Sequence, residues 1–571
     1  MIIFSLFLII GMLIIGGFGV DLMVYEAQRT RVQATTDRAV LAAAHPNQTP
    51  GAIQDRKDVV MSYFTSAGLG AYISEDDIKV EASGTASEVS AEARLHVEPL
   101  LLQFIGGKGF DAVGSATAAQ SAGLSEVSLV VDISGSMGDP SSTGQSKMYE
   151  LKRAAKKFVN ILLCNPNKPD QTTDCIMPAG TTSVSLVPYE QQVVAGAGLL
   201  KKFRRQGAHD LSYCASFYED EFTTTAFNAN LDIRQTGVFD GSTSSRYESP
   251  SSSRFPCKTQ SWREITPLST SHTALATRID ALQHGGWTSS DIGLKWGVTL
   301  LDPSVRSVVD GLIIDKVVDS SFLGRPRNFG AENSQKVVVL MTDGENTRQP
   351  YLYDEYRSGP SRVWIGNDGD TNRMSIHYEN DPDTDSDDQW FWPFLYNDSV
   401  WPYNGQFMDH PYGENDGASY CRDRRYWGCN GWGTERGPAV KLTWQEVWLK
   451  KRWGWWMKMP KSPTTSVKND PPGVWINRSG QYMADSGGDV RYYTDTDDNK
   501  DERLLALCDK AKTAGIDIYT IELETDGGGT GGSVLEKCSS GEGYYFKVEG
   551  VDLVETFSTI GQNIAKLRLT K

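Results

Sequence analysis

The chain has 571 residues, which at roughly 150 per domain leaves room for two to four domains. Its 72 Asp and Glu against 56 Lys and Arg give a formal charge of -16, and no basic block stands out, which excludes phosphate-driven nucleic-acid binding as the main task. A hydrophobic share of 39% and an aromatic share of 10% supply a core and exclude a disordered chain.

Residues 2–20, IIFSLFLIIGMLIIGGFGV, carry no charge. At ~1.5 Å per residue they span close to the ~30 Å of bilayer hydrocarbon. A cleaved signal peptide would need a small-residue site after this run, where Asp21, Leu22, Met23, Val24, Tyr25 and Glu26 stand instead; a retained transmembrane helix over 1–21 is therefore expected. Apolar residues at helical spacing (Val24, Val32, Ala39, Val40, Ala43) predict that this helix continues outward, and 55–67 reads as another helix. Strand-like alternation over 78–82, 91–97 and 112–118 completes a small α+β domain over 22–123.

From Ser125 onward buried apolar strands alternate with helices. Strands are expected at 128–132, 336–341, 516–521 and 544–548, and a strand pair at 184–187 and 193–194. Helices are expected at 147–163, 272–283, 290–301, 504–514 and 551–567. This pattern predicts an α/β domain over 124–571 built on a doubly wound, mainly parallel sheet. Two insertions interrupt it. Residues 201–262 are rich in Ser, Thr and Phe without a sustained period, and 346–500 hold twelve of the fifteen Trp. The denser insertion reads as a Gly- and Pro-rich module without regular structure that packs its own core with indoles. A recognition cap, for a partner or for stacked sugars, is the alternative. Acidic runs at Asp381, Asp383, Asp385, Asp387 and Asp388, and at Asp495, Asp497, Asp498 and Asp501, invite calcium. However, Ser386 stands where an EF-hand needs Gly and Trp392 where it needs its closing Glu, so solvated loops are expected.

Three segments carry the chemistry. The strand ending at Val131 runs into Asp132-Ile133-Ser134-Gly135-Ser136, whose carboxylate and two hydroxyls at alternate positions can converge beyond the strand end. Gly285 and Gly286 precede Trp287-Thr288-Ser289-Ser290-Asp291, which opens a helix, and the strand through Met341 ends in Thr342-Asp343-Gly344. A hard divalent cation takes several oxygen ligands of this kind, and an open α/β sheet places ligands at the carboxyl ends of its strands. Hydrolytic and nucleotide signatures (H-E-x-x-H, G-x-S-x-G, Walker A) are absent.

DISGSMG, GGWTSSDIGL and MTDGEN, in that order, resemble the metal-ion-dependent adhesion site (MIDAS) of von Willebrand factor type A (VWFA) domains. The resemblance runs from about 125 to 569, apart from the insertions, and implies a Rossmann-like VWFA fold. It further implies that Ser134, Ser136 and Thr288 touch Mg²⁺ (or Mn²⁺ or Ca²⁺), with Asp132 and Asp343 bound directly or through water. Trp287 stands where the family's pattern has its Thr directly after the glycines, so Thr288 or Ser289 supplies that hydroxyl. With few charged ligands the ion stays electrophilic and can take an Asp or Glu of a partner, coupling metal and partner binding. Metal-assisted hydrolysis needs a positioned base; the nearest His in sequence, His284, reads as a surface residue at a helix end. No catalytic turnover is expected.

Residues 4–44, from the apolar span through Val20-Asp21-Leu22 to Gln33, Asp37, Ala39 and Leu41 to Ala44, resemble the start of TadG-type proteins of tight-adherence (Tad/Flp) pilus assembly. That resemblance implies a pilin-like anchor in the bacterial inner membrane with the bulk of the chain outside. Arg29, Arg31 and Arg38 follow the span and argue alone for the opposite orientation, but large domains translocate despite flanking charge. The eight Cys, without a C-x-x-C pair, suit an oxidising compartment. Sequence neighbours suggest Cys164 with Cys175, Cys214 with Cys257, Cys421 with Cys429, and Cys508 with Cys538. The expected partners are the membrane and a pilus or secretion-system protein, with no nucleic acid and no small-molecule substrate. A cell-surface adhesin is the alternative.

Overall fold

The computed structural model describes residues 2–44, 53–83, 86–121, 123–178, 180–227, 232–240, 250–347, 349–352, 354–367, 373–378, 389–397, 405–425, 427–451, 460–462, 465–468, 473–476, 482–484, 499–524 and 531–570. With no Pro between 2 and 44 to interrupt it, α1 (Ile2–Ala44) is one helix of 43 residues. Among the described residues it is the one helix long and apolar enough to cross a membrane.

The outer half of α1 packs with α2 (Ile53–Ser66) on an antiparallel sheet of β1 (Ile78–Ser83), β2 (Ala86–Val97) and β3 (Phe110–Ser121), in the order β1-β2-β3. Val89, Ala91, Ala93 and Leu95 of β2 are buried at alternate positions and meet Val32, Ala39 and Val40 of α1 and Phe64 of α2. Polar side chains lock the helix to the sheet. The Gln33 amide donates to the Ser115 carbonyl (3.0 Å) and accepts from the Ser115 amide (3.2 Å), and it also donates to Asp37 (2.8 Å). Arg56 of α2 donates to the Ala43 carbonyl at the end of α1.

The second unit begins with β4 (Leu124–Asp132) and continues through α3 (Lys147–Leu163), β5 (Thr182–Tyr189), β6 (Thr266–Ser269), α4 (His272–Ala281), α5 (Ser290–Thr299) and α6 (Arg306–Ile314). It closes with β7 (Ser334–Thr342), α7 (Asn499–Thr513), β8 (Ile516–Leu523), α8 (Gly531–Cys538), β9 (Tyr545–Val548) and α9 (Leu553–Thr570). The six strands form one mixed sheet in the order β9-β8-β7-β4-β5-β6, parallel except for β6 against β5. Alternate residues of β4 feed two cores. Val127, Leu129 and Val131 pack with Phe158 of α3 and Phe557 of α9. Val130 packs with Trp296 of α5, Leu312 of α6 and Leu507 of α7.

Close approach of α5 to the sheet needs glycine. A Cβ on Gly297 would stand 2.5 Å from Val130 Cγ2. The buried Ser128 hydroxyl donates to the Gly297 carbonyl at 2.7 Å, which satisfies both groups.

Several expectations need correction. Residues 193–194 do not pair with 184–187. Val194 bridges instead to Glu264, and the outer edge of β5 is taken by β6. The 346–500 insertion has regular structure: Gln406–Met408, Gln389–Trp392, Met374–Tyr378, Pro360–Gly366 and Ala439–Thr443 make a five-stranded antiparallel sheet. Trp392, Trp444 and Trp448 are buried in its cores as expected, while Trp427 and Trp432 are exposed. Trp401, Trp453, Trp455, Trp456 and the acidic residues Asp381 to Asp388 and Asp495 to Asp498 lie outside the described residues. Asp501 is buried rather than solvated, because Asn346 donates to it at 2.7 Å. The shorter insertion packs Phe203, Phe217 and Phe227 around Trp296, with Phe222 against Phe217. All four neighbour pairings of the cysteines form disulfides: Cys164–Cys175, Cys214–Cys257, Cys421–Cys429 and Cys508–Cys538.

Candidate functional site

Adjacent parallel strands β4 and β7 pair Val131 with Met341, so their next residues, Asp132 and Thr342, leave the sheet side by side. The Thr342 hydroxyl donates to Asp132 Oδ2 at 2.7 Å, and the Ser134 amide donates to Asp132 Oδ1 at 2.7 Å. Beyond Ser134 the chain makes a short helical turn, Gly135–Gly138. That turn brings the Ser136 hydroxyl within 3.0 Å of the Ser134 hydroxyl, and Ser136 donates to Asp343 Oδ1 at 2.7 Å. Asp132, Ser134, Ser136 and Asp343 are thus joined at the carboxyl edge of the sheet, the first link running through the Ser134 amide and the other two through side-chain oxygens.

The third segment is fastened to this loop through its backbone. The Gly285 amide donates to the Ile133 carbonyl (2.9 Å), and the Gly135 amide donates to the Gly286 carbonyl (3.0 Å). Gly286 has φ +99°, and a Cβ there would collide with the buried Glu190 carboxylate. Thr288 is buried, and its amide donates to the Thr347 hydroxyl at 2.8 Å. Its own hydroxyl is not brought within hydrogen-bond distance of the other four residues. Ser289 is engaged elsewhere, since its hydroxyl accepts from Lys500 Nζ at 2.6 Å. His284 is exposed, with its ring against Gly138.

Burial governs the electrostatics. Asp132 is fully buried, which, together with the nearby Asp343 charge, pushes its carboxyl up to about 7. Burial likewise raises Asp343, opposed by its bonds to Ser136 and Lys147. Two buried carboxylates flanked by hydroxyls suit a hard divalent cation, whose charge would offset the penalty of ionising both.

Sequence reasoning missed the residues that brace this site. Lys147, the first residue of α3, donates to Asp343 Oδ2 (3.2 Å) and to the Glu524 carbonyl (3.3 Å). Asn346 accepts from the Ser290 amide at 2.8 Å, capping α5, while Arg503 donates to the buried Asp291 at 2.7 Å. Lys500 is entirely buried and lowered to about 8 by that burial, with Asp291 opposing the shift. Of these, MTDGEN alone carried a local signal, in its Asn346. No local pattern in the sequence marks Lys147 or Lys500 as buried.

Residues 1–45 match a family model described as putative Flp pilus-assembly TadE/G-like. Solved structures that the chain is similar to include the vWF domain of the type V pili tip protein Mfa5 from Porphyromonas gingivalis. That likeness has 13% identity and a TM-score of 0.30, over 78% of this chain and 96% of that one. The PilB minor pilin from Streptococcus sanguinis is similar at 13% identity and a TM-score of 0.28, over 86% of this chain and 77% of that one. The pilus adhesin SpaC from Lactobacillus rhamnosus GG is similar at 10% identity and a TM-score of 0.29, over 86% of this chain and 34% of that one. No curated protein matches the chain.

Proposed function

We propose that the chain is a membrane-anchored, non-enzymatic accessory of pilus assembly or adhesion that engages a protein partner's carboxylate through a divalent cation. In this reading 1–21 span the bacterial inner membrane and 22–123 form a pilin-like unit. Residues 124–571 form a doubly wound VWFA domain outside the cytoplasm. Asp132, Ser134, Ser136, Thr288 and Asp343 would hold Mg²⁺, Mn²⁺ or Ca²⁺. The observation that carries the reading is the hydrogen-bonded row from Asp132 through Ser134 and Ser136 to Asp343, which joins the ends of two adjacent parallel strands. The match of residues 1–45 to the pilus-assembly family supports the anchor and the setting.

Bound there, the cation would supply a Lewis-acidic position open to an outside carboxylate. The chain's own residues prepare it. The Ser134 amide and the Thr342 hydroxyl fix both oxygens of Asp132, so this carboxylate needs little reorganisation. Lys147 supplies the positive charge that balances Asp343 when no cation does. The Ser289 hydroxyl is held by Lys500, which leaves Thr288 as the hydroxyl donor of its segment.

Calorimetric titration of the detergent-solubilised full chain with each of the three cations tests this reading. Saturable uptake near one ion per chain is expected for at least one of them. Heat no greater than dilution for all three would overturn the reading.

The second reading is a surface adhesin for a host, matrix or glycan ligand. It is favoured by exposed Trp427 and Trp432 at the hairpin closed by Cys421–Cys429, because such rings suit stacking and hot spots. Electron-microscopic pilus counts in a deletion strain separate the two. Loss of pili is expected for the assembly role, whereas normal pili with lost attachment would favour the adhesin.

A further inference from the structure

The segment between β2 and β3 exposes Leu100, Leu101 and Phe104, the last 80% accessible. It is clamped to α1 at three levels. The amides of Leu100, Leu101 and Leu102 all donate to the Asp21 carboxylate, at 2.7 to 3.2 Å. The Leu101 side chain lies so close to Gly17 that a Cβ there would stand 3.1 Å from Leu101 Cβ. Farther out, the Tyr25 and Phe110 rings sit 5.6 Å apart.

Gly17 lies inside the uncharged run, three residues before its end at Val20, or roughly 5 Å at 1.5 Å per residue. The loop therefore overlaps the apolar part of α1 instead of stopping above it. A cluster of large apolar side chains left on a surface marks a contact, and this one docks at Gly17 and Asp21 of α1, whose chain neighbours Phe18 and Leu22 are exposed as well. Tyr25 and Phe110 fall at the level where aromatic rings favour the interface. The exposed Lys108 stands in the same loop, suited to anionic headgroups. The Asp21 carboxylate is satisfied by four amide hydrogen bonds, so the buried charge at this level is not left bare.

We propose that residues 98–110 form a second membrane contact. Leu100, Leu101 and Phe104 dip into the leaflet from which α1 emerges, so that the small α+β unit rests on the bilayer. This inference rests on α1 being the membrane anchor.

The test uses the full chain in vesicles of phosphatidylethanolamine and phosphatidylglycerol carrying a fluorescent phospholipid. Photoreactive p-benzoylphenylalanine replaces Leu13, Phe104 or Tyr149 in turn; Tyr149 is an exposed position on α3. After irradiation, lipid adducts at Leu13 and Phe104 at least tenfold above those at Tyr149 are expected. Lipid adducts at Leu13 with none at Phe104, or with a protein–protein adduct at Phe104, would overturn the loop contact while leaving the anchor in place. Absence of lipid adducts at Leu13 would overturn the anchor reading and the loop contact with it.

Discussion

In the presence of chelator, Asp132→Asn is expected to stabilise the folded chain at pH 8 by about 2–4 kcal/mol while abolishing uptake of divalent cations. The Asp132 carboxyl stands at about 7 in the folded chain against 3.8 for the ordinary group, because burial and Asp343 both oppose its ionisation. A group raised in this way leaves stability intact below about pH 4. Its contribution is lost as pH climbs through 7, where the folded chain must ionise a buried acid. Asparagine mimics the protonated form and keeps an acceptor for the Ser134 amide, so the variant escapes this loss but cannot supply an anionic ligand. Scanning calorimetry in EDTA at pH 5 and pH 8, with cation titration alongside, measures both effects. The stability gap between variant and wild type should be small at pH 5 and large at pH 8. An equal gap at both would refute the assignment of strain to this carboxyl.

A loss of about 3–5 kcal/mol is expected for Glu126→Ala, at the opposite end of β4. Glu126 is buried and accepts from Lys336 on the neighbouring strand and from the Arg327 amide at 2.9 Å, with Arg325 Nε 3.9 Å away. Removing the carboxylate leaves two buried cations without their counter-charge, although Lys336 keeps the Leu301 carbonyl at 2.8 Å and Arg325 keeps the carbonyls of Ser125, Gly180 and Thr181. Urea unfolding should show a lower midpoint, and the double variant Glu126→Ala with Lys336→Met should recover part of the loss. A double variant no more stable than the single one would show that the penalty lies outside this pair.

Much of the fold was legible because its signals are local. Apolar runs such as 129–131 and 337–341 mark strands buried on both sides, and the loops that follow them carry Asp132, Ser134, Ser136 and Asp343 at fixed offsets. The meeting of those loops depends only on β4 and β7 being parallel neighbours in register. Cysteines paired in consecutive order, across separations of 8 to 43 residues, because the entropic cost of closing a loop rises with its length. What escaped was decided by distant partners. A four-residue edge strand, Thr266–Ser269, has too little alternation to announce itself, and Val193-Val194 mimicked it. Lys147 and Lys500 are buried against groups 196 and 211 residues away, and nothing in their own neighbourhoods separates them from solvated lysines. Asp501 misled in the same way, because its acceptor role depends on Asn346. The antiparallel sheet in 346–500 was hidden by turn residues that break its strands into pieces of three to seven.

The unbroken course of α1 has a mechanical consequence. Forty-three residues at 1.5 Å each make a rod of roughly 65 Å, about twice the thickness of bilayer hydrocarbon. Gln33 and Arg56 bolt the outer half of this rod to β3 and α2. Tension applied through the small sheet would reach the lipid as leverage on a stiff shaft, tilting it as a whole, because no joint lies between them to absorb the pull.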